Sequence, residues 1–432
     1  MGLARTLLTA GAVACICHLP DAFGAGNNDK VGPPGPVTIT NAGPNVVTNW
    51  NEVATAVINL PPDAVGTSEE RRPNYAVDLA TVQVAVYDAV MAIARTHRPF
   101  AITPAAAGAG ASEQAAAGEA AYRVLRGLFP SRIGRAQTAY ERFVESIPDS
   151  PAKTQGLEVG AEVAAGVLAL RASDGRSVAL APYAPGSAPG QYRGADPVGR
   201  MFPYTKPFAL TSSSQFRAPG PPELSGAAYA ADFNETRLLG ATASTTRTAE
   251  QSEIARFHTE LPSDFWPRNL RSFAMTSNSV AEQARLMAML WVTHADATIA
   301  CFESKYHFQS WRPLSAIPLA GTDGNDATAA DPAWTPFVPT PPHPEYPAAH
   351  SCVAGALAET LRQYYGTSDV IFDFTSTVTG STRHYTSVDG LIDEIQIARI
   401  AGGMHFRSST VDGAALGKRV ANWALSNNFQ PR

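Results

Sequence analysis

Apolar residues recur at helical spacing along most of the chain. In the first half they predict an amphipathic helix from Val46 (VVTNWNEVATAVINL) and a helix from Tyr75 to Ile93 that is apolar on most sides. A helix of the second kind belongs in the centre of a bundle. Three more helices are predicted: one that ends at Leu128, one from about Ile133 to Ile147, and one from about Lys153 to Ala172. No alternating strand is predicted in this half.

The helical pattern returns after a stretch rich in Pro, Gly, Ser and Tyr. The helices predicted in the second half run from Gly226 to Leu239, Thr248 to His258, Ser279 to about Ser310, Ala348 to about Tyr365, Val388 to His405, and Val411 to Asn427. Thr367 to Thr386 fits a short hairpin or a loop. The long connection from Ser173 to Pro222 is predicted to be ordered at the surface and to help wall a site. A second connection, rich in Pro and Asp, runs from Gly321 to Pro347 and ends just before His350.

This pattern favours an all-α fold of two packed helical bundles with long Pro/Gly-rich connecting loops. The chain of 432 residues is long enough to bury a large core. We predict a leader over residues 1–25, an N-terminal helical half with its long loop over residues 26–222, and a C-terminal helical bundle over residues 223–432.

The first 25 residues have the composition of a secretory signal. Arg5 precedes an apolar run from about Leu7 to Cys17, and small residues follow at Ala22, Gly24 and Ala25. We therefore expect an exported protein, periplasmic or secreted, and the sequence predicts no membrane span. The net charge of -5 gives no support to nucleic-acid binding.

Two of the four cysteines lie in that leader, which leaves Cys301 and Cys352. Export would place this pair where disulfides form. Two separate buried thiols are the expectation, and a bridge between them stays open.

Three short stretches in the last third carry basic and imidazole side chains: KYHFQSWRP, HPEYPAAHS and ARIAGGMHFRSS. Lys305 and Arg312 are seven positions apart, which would put both cations on one face of a helix. His350 comes from the second stretch, and Arg399 with His405 from the third. Three cations and two imidazoles would suit a tetrahedral or trigonal-bipyramidal oxyanion, although a Lys–Arg pair at this spacing also fits a solvated helix face.

The arrangement resembles the signature of the vanadium-dependent haloperoxidases and the type 2 phosphatidic acid phosphatases, K-x6-RP, then PSGH, then SR-x5-H-x3-D. The residues that match, in order and at the same internal spacings, are Lys305, Arg312, Pro313, Pro347, His350, Arg399 and His405. The long helical N-terminal half resembles the haloperoxidase branch, because the compact phosphatases usually lack one.

The resemblance implies vanadate as cofactor, bonded to Nε2 of His405. Lys305, Arg312 and Arg399 would neutralise its oxygens, and phosphate would compete for the same place. His350 would act as the acid/base group while hydrogen peroxide is activated to oxidise a halide.

The chain departs from the signature at several positions. Ala348 and Ala349 replace Ser and Gly before His350, so only backbone N–H groups remain there to bind the oxyanion. Ala398 replaces a Ser, and Ser409 stands where an Asp would follow His405. We consider Glu394 and Asp412 as the carboxylates that could orient the His405 ring instead.

Two further positions bear on the choice of halide. In the resembling enzymes the residue seven before the acid/base His tends to be Phe in chloride oxidisers and His in bromide oxidisers, and this chain has His343. Three positions before the lysine, the chloride oxidisers have Trp, whereas this chain has Phe302. We therefore expect bromide or iodide to be preferred over chloride.

Two other functions stay open. The same cage could cleave a phosphate ester, with His405 attacking phosphorus to form a phosphohistidine and His350 protonating the leaving group. Alternatively, the replacements at Ala348, Ala349 and Ser409 would suit a protein that binds an oxyanion without catalysis. The sequence is also compatible with a homo-oligomer.

Overall fold

The computed structural model describes residues 35–40, 43–60, 74–105, 108 and 110–432. The predicted leader over residues 1–25, with the first two cysteines, lies outside them. The described residues contain thirteen α-helices and one small sheet of three strands, which confirms the all-α prediction.

Five helices form the first half of the described chain. They are α1 (Val46–Ile58), α2 (Tyr75–Ala94), α3 (Glu113–Leu128), α4 (Gly134–Ser146) and α5 (Pro151–Arg171). Side-chain caps mark the starts of α1, α3 and α5. Asn45 forms a capping box with Thr48 at α1, and Ser150 accepts from the Lys153 N–H at α5, where Pro151 fits the first helical position.

Eight helices form the second half. They are α6 (Ala227–Leu239), α7 (Ala249–Phe257), α8 (Pro262–Ala274), α9 (Val280–Phe308), α10 (Pro313–Ala316), α11 (Ala349–Tyr365), α12 (Val388–Ala401) and α13 (Arg407–Asn427). The sequence prediction missed α8, which contains Pro267 and so lacks one backbone donor inside the helix. It forms nevertheless, because one face buries Trp266, Leu270 and Phe273 in the main core.

Three predicted helix ends are wrong, and all three concern the site. The long helix α9 stops at Phe308, because Gln309 adopts a left-handed conformation with φ 47°. Arg312 therefore lies beyond the helix rather than on one face of it with Lys305. Helix α12 ends at Ala401 and α13 already begins at Arg407, so His405 lies in the short connection between them.

The small sheet joins β1 (Val37–Thr38), β2 (Val370–Ser376) and β3 (Ser381–Tyr385). The predicted hairpin is β2–β3, which pairs antiparallel, and β1 pairs parallel to β2. The two-residue strand β1 corrects the expectation of no strand in the first half. Buried Phe372 and Phe374 on β2 extend the core beneath α8.

Residues 35–432 form one compact unit, in which α2 of the first half packs against α9 of the second. The boundary predicted between residues 222 and 223 stays a prediction. By length and composition α2 could cross a membrane, with mean hydropathy 1.5, yet 94% of that apolar window is buried inside the protein. Such burial is typical of a core helix.

Helices α11 and α13 approach each other through glycines. A Cβ on Gly417 would lie 1.9 Å from the carbonyl oxygen of Cys352, and one on Gly355 would lie 2.2 Å from that of Ala414. A larger residue would force the two backbones apart. This contact fixes the start of α11, which carries His350, beside the start of α13, which follows His405.

Two buried aspartates hold loops against the central helices. Asp88 on α2 accepts from the backbone N–H groups of residues 100–102. Asp296 on α9 accepts from those of residues 208–210, at 2.7 to 3.1 Å. Burial raises the pKa of Asp296 to about 6, although the three N–H donors oppose that shift. Asp296 therefore anchors the long connection that the sequence predicts beside the site.

We expect Asp296→Asn to lower the free energy of unfolding by about 1–3 kcal/mol, because the new amide group would face N–H groups that need an acceptor. Urea denaturation followed by circular dichroism measures this. Asp326→Asn is the matched control, since Asp326 is exposed and should change stability by less than about 0.5 kcal/mol. Equal stability of the two variants would contradict the anchoring role.

Candidate oxyanion site

The structure brings Lys305, Arg312, Arg399 and His405 together in the interior. Lys305 lies in the last turn of α9 and is completely buried. Its Nζ donates to the carbonyl oxygens of Pro344 (2.9 Å) and Glu345 (3.0 Å). Burial lowers the pKa of Lys305 to about 8. The ammonium is thus held by the backbone of the second motif and not by a carboxylate.

Arg312 is the most connected cation of the site. Its Nε donates to the His343 carbonyl oxygen and its Nη1 to that of Met404, both at 2.8 Å. Nη1 also lies 2.8 Å from Nε2 of His405, and Nη2 lies 2.9 Å from Nδ1 of His343. Burial lowers its pKa to about 10. One guanidinium therefore joins the second and third motifs.

Arg399 comes from the last turn of α12 and is 1% exposed. Its Nη1 donates to the His258 carbonyl oxygen at 3.1 Å, and its Nη2 lies 2.9 Å from Sδ of Met404. Nε is buried without a hydrogen-bond partner. Burial lowers the pKa of Arg399 to about 9, and the charge of Arg312 lowers it further.

These three cations make no ion pair with a carboxylate in the described part of the chain. A buried charge without a counter-charge is costly, and an unsatisfied N–H group adds to that cost. The donor set and the unpaired Nε of Arg399 therefore fit an oxyanion, and they fit vanadate or phosphate equally.

Glu345 orients the His405 ring. Its Oε1 lies 2.9 Å from Nδ1 of His405 and accepts from the backbone N–H of Phe406 at 3.0 Å. At the other side of the ring Arg312 can only donate, so Nε2 is the acceptor and Nδ1 of the neutral ring carries the hydrogen. The lone pair of Nε2, which accepts from Arg312 in this structure, is the one that could bond an electrophilic centre.

Neither carboxylate considered from the sequence orients this ring. Glu394 lies 2.9 Å from Nε2 of His258 instead, and Asp412 accepts from the Tyr346 hydroxyl at 2.6 Å. Ser409, where the signature has Asp, stays 3.4 Å from Nδ1 of His405. Sequence reasoning missed Glu345, although it is the one acidic residue within HPEYPAAHS.

His350 lies in the first turn of α11 and is partly exposed. The loss of hydration around the ring lowers the pKa of His350 well below the usual value, and the charges of Arg399 and His258 lower it further. The imidazole is therefore neutral near pH 7 and able to take up a proton.

The backbone before His350 is only partly available. The Ala348 N–H donates to the Ser409 carbonyl oxygen at 3.0 Å, so in this structure it is already engaged. The Ala349 N–H occupies the first position of α11 and has no partner within the helix.

The two positions expected to tune the halide lie side by side. The ring centroids of Phe302 and His343 are 5.1 Å apart. His343 is buried, and burial together with Lys305 and Arg312 lowers its pKa well below the usual value. A neutral His343 accepts from Arg312 through Nδ1, which connects this pair directly to the cage.

Cys301 and Cys352 are both buried free thiols. They lie close together, since burial and a hydrogen bond to Cys301 raise the pKa of Cys352. The expected pair of free thiols is present, but the two are neighbours rather than separate.

Comparison with known proteins shows what these residues are similar to. Residues 285–430 match the family model of the VCPO second helical-bundle domain. Over 95 residues the chain is 35% identical to the vanadium chloroperoxidase of Curvularia inaequalis. That match covers 20% of this chain and 15% of the Curvularia protein, well under two thirds of that protein's length.

Solved structures extend the likeness over nearly the whole chain. A bacterial vanadium-dependent iodoperoxidase has a TM-score of 0.71 at 20% identity, covering 91% of this chain and 99% of that one. An apo bacterial vanadium-dependent chloroperoxidase has a TM-score of 0.65 at 15% identity, covering 86% and 96%. The chain thus has the helical fold of the vanadium haloperoxidases, and the resemblance predicted from its motifs is confirmed.

We expect Glu345→Ala to weaken binding of a tetrahedral oxyanion about 10- to 100-fold, because His405 would lose the partner that fixes its tautomer. Titration calorimetry with phosphate measures the affinity. Asp412→Asn is the control, since Asp412 bonds only Tyr346 among the contacts of this region, and it should bind like the wild type. If Glu345→Ala binds phosphate as tightly as the wild type, Glu345 does not have this orienting role.

Anion affinity should also fall above about pH 8. Lys305, with a pKa of about 8 in the free protein, becomes neutral there, and a neutral amine has no charge to offer. The probe is sulfate, whose charge stays constant, titrated from about pH 8 to about pH 10, where the affinity should drop by up to about tenfold per pH unit. Glu345, with a pKa raised by burial to about 7, is already ionised over this range. Arg399, whose pKa burial lowers to about 9, also loses charge within the range, so the contribution of Lys305 is the part of the fall that a Lys305 variant lacks.

The matched variant for that titration is Lys305→Ala. It should bind sulfate about 1.5–3 kcal/mol more weakly than the wild type at pH 8, with a flatter dependence on pH. Parallel curves for the two proteins would assign the pH dependence to another group.

Proposed function

We propose that this chain is an exported vanadium-dependent haloperoxidase that prefers iodide or bromide to chloride. The observation that carries the proposal is the cage of Lys305, Arg312 and Arg399, three buried cations without a carboxylate partner, beside the unprotonated Nε2 of His405. A cage of this charge needs an anion, and the structural relatives that share the fold are named for vanadium.

Lys305, Arg312 and Arg399 would hold vanadate, and His405 would bond it through Nε2. When bound, vanadate supplies a Lewis-acid centre that activates hydrogen peroxide for the two-electron oxidation of a halide. Arg312 donates to Nε2 in this structure, and that hydrogen bond would have to give way for Nε2 to hold the cofactor. The other two contacts of its guanidinium, to the His343 and Met404 carbonyl oxygens, keep the cation in place.

His350 is the group that moves the proton. Its ring is neutral because burial and the charge of Arg399 oppose protonation, so it can take a proton from hydrogen peroxide at a ring nitrogen. Its partial exposure gives that proton a route to solvent. Lys305 and Arg399 remain charged near pH 7 and balance the negative charge of the anion.

The halide preference is proposed from His343 and Phe302. The imidazole of His343 is a hydrogen-bond partner in the wall of the cage, whereas a phenyl ring would only shape a dry pocket. An iodoperoxidase among the similar structures supports the same choice. Export is proposed from the composition of residues 1–25 alone, and comparing periplasmic and cytoplasmic fractions of expressing cells tests it.

The test of the function uses purified protein with and without orthovanadate. We expect vanadate-dependent oxidation of iodide, and bromination of monochlorodimedone, each requiring hydrogen peroxide. His405→Ala should abolish both and should no longer bind vanadate by calorimetry, while its circular dichroism stays that of the wild type. Cleavage of p-nitrophenyl phosphate without any vanadate-dependent oxidation would replace this proposal by a phosphatase, and binding without either activity would leave an oxyanion-binding protein.

We expect His343→Phe to shift the ratio of chloride to bromide oxidation upwards, because the phenyl ring removes the imidazole that hydrogen-bonds within the cage. The measurement is kcat/KM for each halide at mildly acidic pH with added vanadate. His384→Phe is the control, since His384 is exposed and pairs with Asp373 far from the motifs. Efficient oxidation of chloride by the wild type would overturn the assigned preference.

A further inference from the structure

The long connection that the sequence predicts beside the site reaches it at Val198. The backbone N–H of Val198 donates to the carbonyl oxygen of Pro342 at 2.9 Å, and Pro342 directly precedes His343. The carbonyl oxygen of Val198 accepts from the hydroxyl of Tyr306 at 2.5 Å. Tyr306 lies on α9, one turn after Phe302. One residue of the connection therefore binds both elements that carry the pair expected to tune the halide.

Gly199 follows in the chain and lies against the ring of Phe302. A Cβ on Gly199 would lie 2.4 Å from Cε1 and 2.6 Å from Cδ1 of that ring, and 3.2 Å from Cδ2 of Phe202. The backbone of Gly199 has φ +77°, a conformation that disfavours any side chain. Carbon atoms in contact are normally about 3.5 Å apart or more. Only a glycine therefore lets the backbone approach the Phe302 ring this closely.

The ring of Phe302 contacts both this part of the connection and His343. Its centroid is 4.9 Å from that of Phe202 and 5.1 Å from that of His343. Phe302 and His343 are each 8% exposed. Because packed interiors leave little free volume, any shift of the Phe302 ring changes the space beside His343.

The two rings lie next to the cations of the cage. Nη2 of Arg312 is 2.9 Å from Nδ1 of His343, and Nζ of Lys305 is 6.0 Å from the centroid of the Phe302 ring. A halide that approaches these cations would meet both rings, so the position of the Phe302 ring would decide how much room the halide has.

We propose that Gly199 is a positioning residue for halide selection and that it acts through Phe302. The inference rests on the function proposed above and deepens it, because it adds a residue of the long connection to the pair of Phe302 and His343. Gly199 acts without touching halide or cofactor. Its lack of a side chain leaves Phe302 the position beside His343 that a larger residue would deny it.

The test is Gly199→Ala, whose methyl group would lie 2.4 Å from Cε1 of Phe302 and should displace the ring by about 1 Å. The ratio of kcat/KM for iodide to kcat/KM for bromide, with vanadate and hydrogen peroxide present, should change at least about threefold. The change should have the same direction as in Phe302→Leu, which removes the ring directly.

Gly324→Ala is the matched control. Gly324 has nearly the same backbone conformation, with φ +73°, and no atom lies within 4 Å of a Cβ placed there. This variant therefore carries the same backbone strain without the contact, and it should keep the halide ratio of the wild type.

Two further variants test the route through Phe302. The double variant of Gly199→Ala and Phe302→Leu should have the halide ratio of Phe302→Leu alone, because the ring through which Gly199 acts is gone. Tyr306→Phe removes only the hydroxyl that binds the Val198 carbonyl oxygen, so it should shift the ratio in the same direction by a smaller factor. This milder variant keeps the test usable if Gly199→Ala does not fold.

A second readout does not depend on activity. It is the NMR resonance of the His343 Cε1–H group in protein made with isotope-labelled histidine, assigned with His343→Phe. The ring current of Phe302 acts on this group because the two ring centroids are 5.1 Å apart. Gly199→Ala should therefore shift the resonance, and Gly324→Ala should leave it in place.

Three results would overturn the inference while the proposed function stands: a His343 resonance that Gly199→Ala does not move, a halide ratio that stays at the wild-type value although the resonance moves, or additive effects of the two substitutions in the double variant. A wild type that oxidises no halide with vanadate present would instead remove the proposed function, and this inference with it.

Discussion

Uncompensated positive charge in the interior is the constraint on which the rest of this structure depends. Lys305, Arg312 and Arg399 are held by backbone carbonyl oxygens, those of residues 258, 343–345 and 404, and by neutral side chains rather than by carboxylates. Carbonyl dipoles stabilise a cation without neutralising it, so the field of the cage stays positive. The two connections that supply most of these carbonyl groups must therefore be held firmly, which is what the close contact of α11 with α13 provides.

The sequence predicted the content of the cage better than its geometry. Motif spacing identified all three cations and both imidazoles, because chemistry of this kind requires particular residue types at particular intervals. It placed Lys305 and Arg312 on one helix face, however, and the structure puts Arg312 beyond the helix. Apolar periodicity does not register a single left-handed residue such as Gln309, so it extended α9 too far. Similarly, Pro267 concealed α8, whose stability comes from tertiary burial rather than from local propensity.

Glu345 shows what local pattern could not supply. The signature places a carboxylate four residues after the His that bonds the anion, on the same side of the chain. Here that position is Ser409, and the carboxylate comes from sixty residues earlier in the sequence. Its approach depends on the path of residues 343–345, which Lys305 fixes by binding two successive carbonyl oxygens. A search limited to the neighbourhood of His405 therefore considered Glu394 and Asp412, which the fold uses for His258 and Tyr346.

The position of the carboxylate in the second motif also decides which parts of the structure are connected to His405. An Asp on the first turn of α13 would keep the orientation of His405 within one element. Glu345 instead links His405 to the loop that holds Lys305 and to the wall of a neighbouring cavity of about 350 Å³. Oε1 of Glu345 already accepts from two N–H donors. A change in the cavity would therefore reach the His405 ring by shifting the Glu345 carboxylate rather than by protonating it. Packed interiors transmit small displacements, and Glu345 both orients His405 and lines the neighbouring cavity.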